Sequence, residues 1–513
     1  MPASPMNGVA PPFTPPSNIV YFHDWRYVDH GFMRWLRPDG KSVGLMPAPD
    51  PLPPIHGDTS GLPHGVRIET VPAKVDDEPV FRADALGEIF VFSATVIPEH
   101  GQYRIFYESC PPDALDDTHV DRLGMYKYLC IAESDNAQDW QLPAINPRHD
   151  KPNMVFDPGP VGYHGGCVYR DEHGPSDERY KTIFLGLVSQ DGLDRYQQKW
   201  PDDVDPFSIA SPERAKESGS TAYGLHGAVS PDGITWKLLE EPLLIQNSDT
   251  IQALSYDHVR GKYVAYLRSW LYGRRGVARA ESDDFRHFSA AEQVLWPDSM
   301  LRPDETWYTS GYTQMPGAPD YHLMFATHWS QWDDSFTPIL HASPDGLVWG
   351  RVPGRPSVPR GRVDGWCGCG SQVTTLVPLP DGRIGSLVIG WSVPHKYPRR
   401  MPGFGQAGWA TWERGRITAL KADTEGRFAL FPLQFHGRRV ILNHRTPIAG
   451  RIQVAVHGES CYRSFDDCDP IAGDELDHIV TWKGETDLNL PDGEPLRLHF
   501  RMQNAELFSV RFH

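Results

Sequence analysis

From residue 89 onward, apolar and polar positions alternate in short runs separated by turn residues. IFVFSATVI, PEHGQ and YRIFYES (residues 89–109) make two such runs around a Gly-containing turn. That is the pattern of a β-hairpin with one face buried. The form returns in GGCVYRDEHGPSDERYKTIFLGLV (165–188), IQALSYDHVRGKYVAYLRSW (251–270), YTSGYTQMPGAPDYHLMFATHW (308–329) and SQVTTLVPLPDGRIGSLVIGW (371–391). After each of the first four comes another apolar run that ends in a turn of fixed spacing: SDNAQDW (134–140), SPDGITW (230–236), SDDFRHF (282–288) and SPDGLVW (343–349). GWATWERGRITAL (408–420) takes the equivalent place after the fifth.

A hairpin, a third strand and a turn leading to a fourth is the content of one propeller blade, and five such units predict a five-bladed β-propeller. In the repeated turn, Ser and Asp have the chemistry to bond the turn's own backbone, and the aromatic residue can pack between blades. The motif therefore reads as scaffold, because catalytic side chains do not recur once per blade. From about residue 430 the texture changes to ALFPLQF, RRVILNH, RIQVAVHG, DHIVTW, PLRLHFRM and ELFSVRF, six short alternating runs. These predict a β-sandwich. The fold class expected is all-β, with an extended arm over residues 1–80, the propeller over 81–428 and the sandwich over 429–513.

Composition narrows the partners. A formal charge of −17 over 513 residues argues against a nucleic acid or an anionic membrane surface, since both need clustered Lys and Arg. A neutral or cationic ligand fits that charge, and a homo-oligomer is compatible. Seven cysteines in no regular framework read as free thiols of a reducing compartment, with a Cys461–Cys468 bridge open if the protein is exported. The pair in WCGCG lacks a second pair at zinc-finger spacing, so no metal and no cofactor is expected. MPASPMNGVAPPFTPPSN has no basic stretch followed by an apolar one, and no run approaches the ~18 apolar residues of a membrane span. The expectation is a soluble, cytoplasmic protein.

A five-bladed propeller followed by a β-sandwich resembles the glycoside hydrolases of family 32, and the propeller alone resembles families 43, 68 and 130. The S-x-D-G-x-x-W turns look like the outer-strand signatures of those families. What the resemblance implies is a glycosidase on a neutral furanoside or oligosaccharide. A glycoside phosphorylase or a non-catalytic sugar-binding propeller are the alternatives. The Asn-Asp-Pro-Asn stretch of family 32 is absent. YHGGCVY (163–169) stands where that family has Arg-Asp-Pro, and NSDTIQ (247–252) where it has Glu-Cys.

Candidate residues follow from propeller geometry, in which inner-strand starts converge at one channel mouth. Glycoside cleavage calls for a proton donor to the leaving oxygen and a carboxylate across the sugar. Glu88 and Asp249 are the expected pair, with Glu305 a third carboxylate. His164, Gln252, Arg268, Trp307, Tyr308, Asp364, Trp366 and His395 are the expected substrate-binding groups. Each has a blander reading: Asp249 in NSDT as a self-bonded turn, His164 as a satisfied core histidine, Glu305 as part of a charged loop. Phosphorolysis would need cations beside the carboxylate, and Arg268, Arg274 and Arg275 are at hand. Asp171 falls in a hairpin turn by register and is set aside.

Overall fold

The computed structural model describes residues 12–29, 63–83, 85, 91–109, 127–147, 149–210, 221–395, 405–491 and 493–513, with the backbone of strands Arg34–Leu36 and Ser42–Gly44. The chain is all-β, a five-bladed propeller followed by a C-terminal β-sandwich. It divides into two compact units, Pro72–Arg351 with Arg355–Glu413, and Met1–Val71 with Val352–Gly354 and Arg414–His513.

The first unit is the propeller. Blade one is Ala94–Glu99, Gln102–Ser109, Tyr128–Ser134 and Met154–Phe156, paired antiparallel in that order. Blade two is His164–Arg170, Tyr180–Val188, Ala222–Ser230 and Lys237–Leu238. Blade three is Ala253–Asp257, Lys262–Leu271, Arg274–Ser282 and Glu292–Leu295. In blade four the inner strand is split into Glu305–Trp307 and Tyr312–Met315, followed by Ala318–Ser330, Ser335–Ser343 and Gly350–Arg351. The inner strands of successive blades pack on one another, and the last returns to the first, which closes a ring of five.

Blade five differs from the sequence expectation. Its inner strands Gly370–Gln372 and Leu376–Pro378 pair with Ile384–Trp391, and that with Gly405–Trp412, but the fourth strand is Lys74–Val75 from ahead of blade one. The expected 81–428 span therefore starts too late to include this closing strand. Its end also runs too far, because Thr418–Ala429 pairs inside the second unit with Arg67–Thr70 and Leu496–Phe512.

The repeated turn is scaffold, with a visible mechanism. Ser230 Oγ accepts from Gly233 N at 2.9 Å, Asp232 Oδ1 accepts from Ile234 N and Thr235 N at 2.8 and 2.7 Å, and Trp236 Nε1 donates to Gly233 O at 3.0 Å. Ser343, Asp345 and Trp349 repeat every one of these bonds. Trp236 meets Phe106 of the preceding blade edge-on, and Trp349 meets Tyr266 in the same way. The fourth position takes a left-handed backbone in each copy, with φ +59° at Ala137 and +60° at Phe285, and at Gly233 the neighbouring ring favours glycine. Gly233 has φ +74°, and a Cβ there would lie 2.8 Å from the Phe106 ring. Replacing the buried Ser230 by Ala leaves the Gly233 N–H without its acceptor. The expected cost is about 1–2 kcal/mol, read as a lower urea midpoint with ligand binding unchanged.

In the second unit, Leu496–Phe512 is one strand of 17 residues where two were expected. It pairs with Thr418–Ala429 and Arg451–Gly458 along its first part, and with Val440–Arg445 and Ile19–Tyr21 along its last. Six cysteines are free among the described residues, Cys461 and Cys468 included. No described helix is long and apolar enough to cross a membrane.

Candidate functional site

Antiparallel pairing puts the start of each inner strand, the end of each second strand and the start of each third strand at the same end of a blade. Glu108 is next to last in its second strand, and Lys127 stands one residue before a third strand. His164 opens the inner strand of blade two, and Asp249 lies in the loop entering that of blade three. Arg268 and Arg275 flank the turn between the second and third strands of blade three. Tyr308 sits in the break of blade four's inner strand, whose Gly311 has φ +54°. Asp334 is in the turn after Ala318–Ser330, and His395 follows Ile384–Trp391. All of these residues belong to one end of the propeller.

His164 is the hub. Its Nδ1–H donates to Glu108 Oε1 at 3.1 Å and its Nε2–H to Asp249 Oδ1 at 2.9 Å, and Phe92 stacks on its ring at 4.8 Å. A carboxylate on each ring nitrogen suits the imidazolium, in which both nitrogens donate. Burial opposes that charge, as does the Lys127 ammonium 3.2 Å from Nδ1, but Glu108 and the two hydrogen bonds outweigh them and raise the His164 pKa above its ordinary value. Glu108 is fully buried and bonded to Lys127 Nζ, to Gly165 N at 2.6 Å and to Ser93 Oγ at 3.2 Å. Burial pushes its carboxyl up, while Lys127 and His164 bring it down to about 2.

Asp249 is the open member of this group, with its side chain 58% exposed. Burial of its inner edge favours the acid form, but the His164 hydrogen bond and charge, with Arg268 and Arg275, hold it far below the carboxylate range. Arg268 Nη1 lies 3.4 Å from Asp249 Oδ2 and donates to Asp249 O at 3.1 Å. Burial and the Arg275 charge lower the Arg268 guanidinium to about 10. Arg275 is buried, donates through Nη2 to Tyr308 O at 3.1 Å, and lies 3.8 Å from the centre of the Tyr308 ring. The Nε atoms of Arg268 and Arg275 are buried with no hydrogen-bond partner. Four cationic groups (Lys127, His164, Arg268, Arg275) thus surround two carboxylates, in a chain whose net charge is −17.

Beyond Arg275 a second relay fixes the Tyr308 hydroxyl. It donates to His395 Nε2 at 3.1 Å, His395 Nδ1–H donates to Asp334 Oδ1 at 2.7 Å, and Trp329 Nε1 donates to the same oxygen at 2.8 Å. The structure therefore brings His164, Asp249, Arg268, Tyr308 and His395 of the expected residues into one constellation. It adds Glu108, Lys127 and Asp334, which the inner-strand rule does not sample.

The other expected residues do not join this constellation. Glu88 lies outside the described residues. Glu305 accepts from Arg302 N and Nε at 2.8 and 3.1 Å and lies 3.6 Å from His328, so its carboxylate closes its own turn. Gln252 is spent on the entry loop, accepting from Ser248 Oγ at 2.7 Å and donating to Thr250 O at 2.8 Å. Trp307 is fully buried among the residues packed between blades three and four. Trp366 lies on the backbones of Gly390 and Gly408, where a Cβ would come within 2.5 Å of its ring, and its Nε1 donates to Asp76 O. Asp364 is exposed and faces Arg362 at 3.5 Å. Asp171 is a buried hairpin residue tied to Lys181 at 2.7 Å and Tyr263 at 2.6 Å. Among the described residues, no three metal-ligating atoms converge at this end.

No protein-family model matches the chain, and no curated protein matches it. Solved structures do. A thermostable family 43 glycoside hydrolase aligns at 12% identity and TM-score 0.42, over 64% of this chain and 92% of its own. The family 32 β-fructofuranosidase of Bombyx mori aligns at 12% identity and TM-score 0.41, over 85% of this chain and 95% of its own. The β-1,2-mannobiose phosphorylase of Listeria innocua aligns at 12% identity and TM-score 0.42, over 68% of this chain and 98% of its own.

Proposed function

We propose that the propeller cleaves glycosidic bonds, with Asp249 as the carboxylate that acts in its ionised form. The observation that carries this reading is one accessible carboxylate held between buried cations at the end where the inner strands begin. An anion so stabilised is too weak a base for proton abstraction and cannot donate a proton; it suits a nucleophile or a fixed charge facing the oxocarbenium-like transition state. The sequence left open which member of the expected Glu88–Asp249 pair plays which part. The electrostatics around Asp249 favour giving it the anionic role, which leaves the acid role to Glu88. Glu305, closed on Arg302 and His328, receives no part in the chemistry. The substrate class proposed is a neutral furanoside or oligosaccharide, with the Tyr308 hydroxyl and the Arg268 and Arg275 guanidinium groups as hydroxyl-binding groups and water as the acceptor.

A second reading rests on a specific observation. Two buried arginines with unpartnered Nε atoms, beside an excess of positive charge, form a receptor for an oxyanion. Inorganic phosphate in place of water would make the enzyme a phosphorylase. Product release from fructo-, arabino- and manno-configured oligosaccharides, in phosphate-free and phosphate buffers, separates the cases. Free sugar in both buffers supports hydrolysis. Sugar phosphate formed only in phosphate buffer supports phosphorolysis. Sugar binding with no product in either buffer would overturn both and leave a non-catalytic binding propeller.

A further inference from the structure

We propose that His444, His478 and Glu475 form a binding site for a zinc-class divalent cation on the C-terminal unit, with its fourth coordination position open. Val440–Arg445 and Asp474–Ile479 are antiparallel neighbours, with His444 opposite Glu475 and Leu442 opposite His478. A register irregularity between Leu442 and His444 lets the side chains from both ends of this short ladder converge. One ligand atom from each of the three residues lies within 4.8 Å of the others.

The decisive observation is His444. It is fully buried, yet neither of its ring nitrogens has a hydrogen-bond partner. Buried imidazole nitrogens are costly to leave unpaired, and a metal ion is a partner that neutral imidazole takes readily. The groups around it are committed in other directions. Arg416 donates through Nε to Asn443 Oδ1 at 2.8 Å and through Nη2 to His444 O at 3.2 Å, and its Nη1 pairs with Asp474 at 2.6 Å. It fixes the backbone that presents His444, and Asp474 offsets its charge. His478 Nδ1 and Glu475 Oε1 stand 3.2 Å apart, close to the ~3.3 Å between two ligands of one tetrahedral zinc with bonds of about 2.0–2.1 Å. Closing the third ligand onto them takes only side-chain rotation, since Glu475 and His478 are not buried.

Two histidines and one carboxylate is a donor set that suits zinc, copper or nickel over magnesium or calcium. Among the described residues Asp474–Ile479 pairs only with Val440–Arg445, and from Glu475 onward it alternates exposed and half-buried positions. A metal bridging the two strands would pin this edge strand. The site is independent of any glycoside chemistry in the propeller.

The test uses the full chain, freed of metal with a chelator and titrated with zinc. One zinc per chain is expected, with a raised unfolding temperature, and cobalt in its place should show the visible absorption of a four-coordinate site. Because loss of even an outer-shell partner costs about 10–100-fold in affinity, Glu475→Gln and His478→Ala are each expected to weaken binding by about 100-fold or more. Both replace residues that are not buried, so folding is retained. Either of two results would overturn the proposal: no stoichiometric zinc binding by the wild type, or binding by both variants with unchanged affinity.

Discussion

Asp249→Asn is expected to lower turnover of the responsive glycoside about 1,000-fold, within the range that electrostatic stabilisers of a transition state supply, with KM changed little. The amide keeps the shape of the carboxylate and can still accept from His164 Nε2 at the present 2.9 Å. Only the negative charge is removed, so the substitution isolates the anion from the hydrogen bond. Because His164, Arg268 and Arg275 hold Asp249 far below the carboxylate range, its titration does not set the acidic limb of the pH–rate profile. The proton donor, which must stay protonated, should instead set the alkaline limb, and that limb should stay in place when the residual activity of the Asn variant is followed. Turnover retained at the wild-type level would reduce Asp249 to an anchor for His164 and Arg268 and would end the catalytic proposal.

The propeller was legible because its signals are local. Period-two alternation recurs in every blade and a turn of fixed spacing in the first four, and the chemistry of Ser230, Asp232 and Trp236 is contained within seven residues. What escaped is non-local or interrupted. Lys74–Val75 is too short for any periodicity, and only its pairing with Ala410 and Thr411 shows that it closes the ring. Leu496–Phe512 read as two strands because Asn504 adopts φ +46° and the facing strand shifts register, which breaks the alternation without ending the pairing. The site divides along the same line. Rules about inner-strand starts find His164 and Asp249, and apolar context marks Arg268 as buried. Glu108 and Lys127 enter from a second-strand end and a third-strand start. The signal for them was present, since a Glu that closes the apolar run RIFYES falls at the same end by antiparallel alternation.

Lys127→Met is expected to destabilise the propeller by about 3–5 kcal/mol, the usual consequence of removing one partner from a buried ion pair. Lys127 and Glu108 have side chains only 2% and 0% exposed, so solvent cannot replace the lost ammonium. Met fills the volume, and the buried Glu108 charge is left to His164, Gly165 N and Ser93 Oγ alone. Adding Glu108→Gln should therefore recover much of the loss, and a cycle of the two single variants and the double variant measures the coupling. The pH dependence carries the same signature. Glu108 falls to about 2 in the folded chain, so its contribution is present above the ordinary carboxylate pKa of about 4.3 and is lost as pH drops towards 2. His164 is raised, so its contribution is present below about 6.5 and is lost as pH climbs through its elevated value. Stability from this cluster should form a plateau bounded on both sides. Glu108→Gln removes its share of the acidic edge, leaving that of Asp249, and, by withdrawing the main charge that raises His164, moves the alkaline edge to lower pH. Chemical denaturation of wild type and variant from pH 3 to pH 9 reads both edges, and identical profiles would show that Glu108 and His164 are not ionised together in the fold.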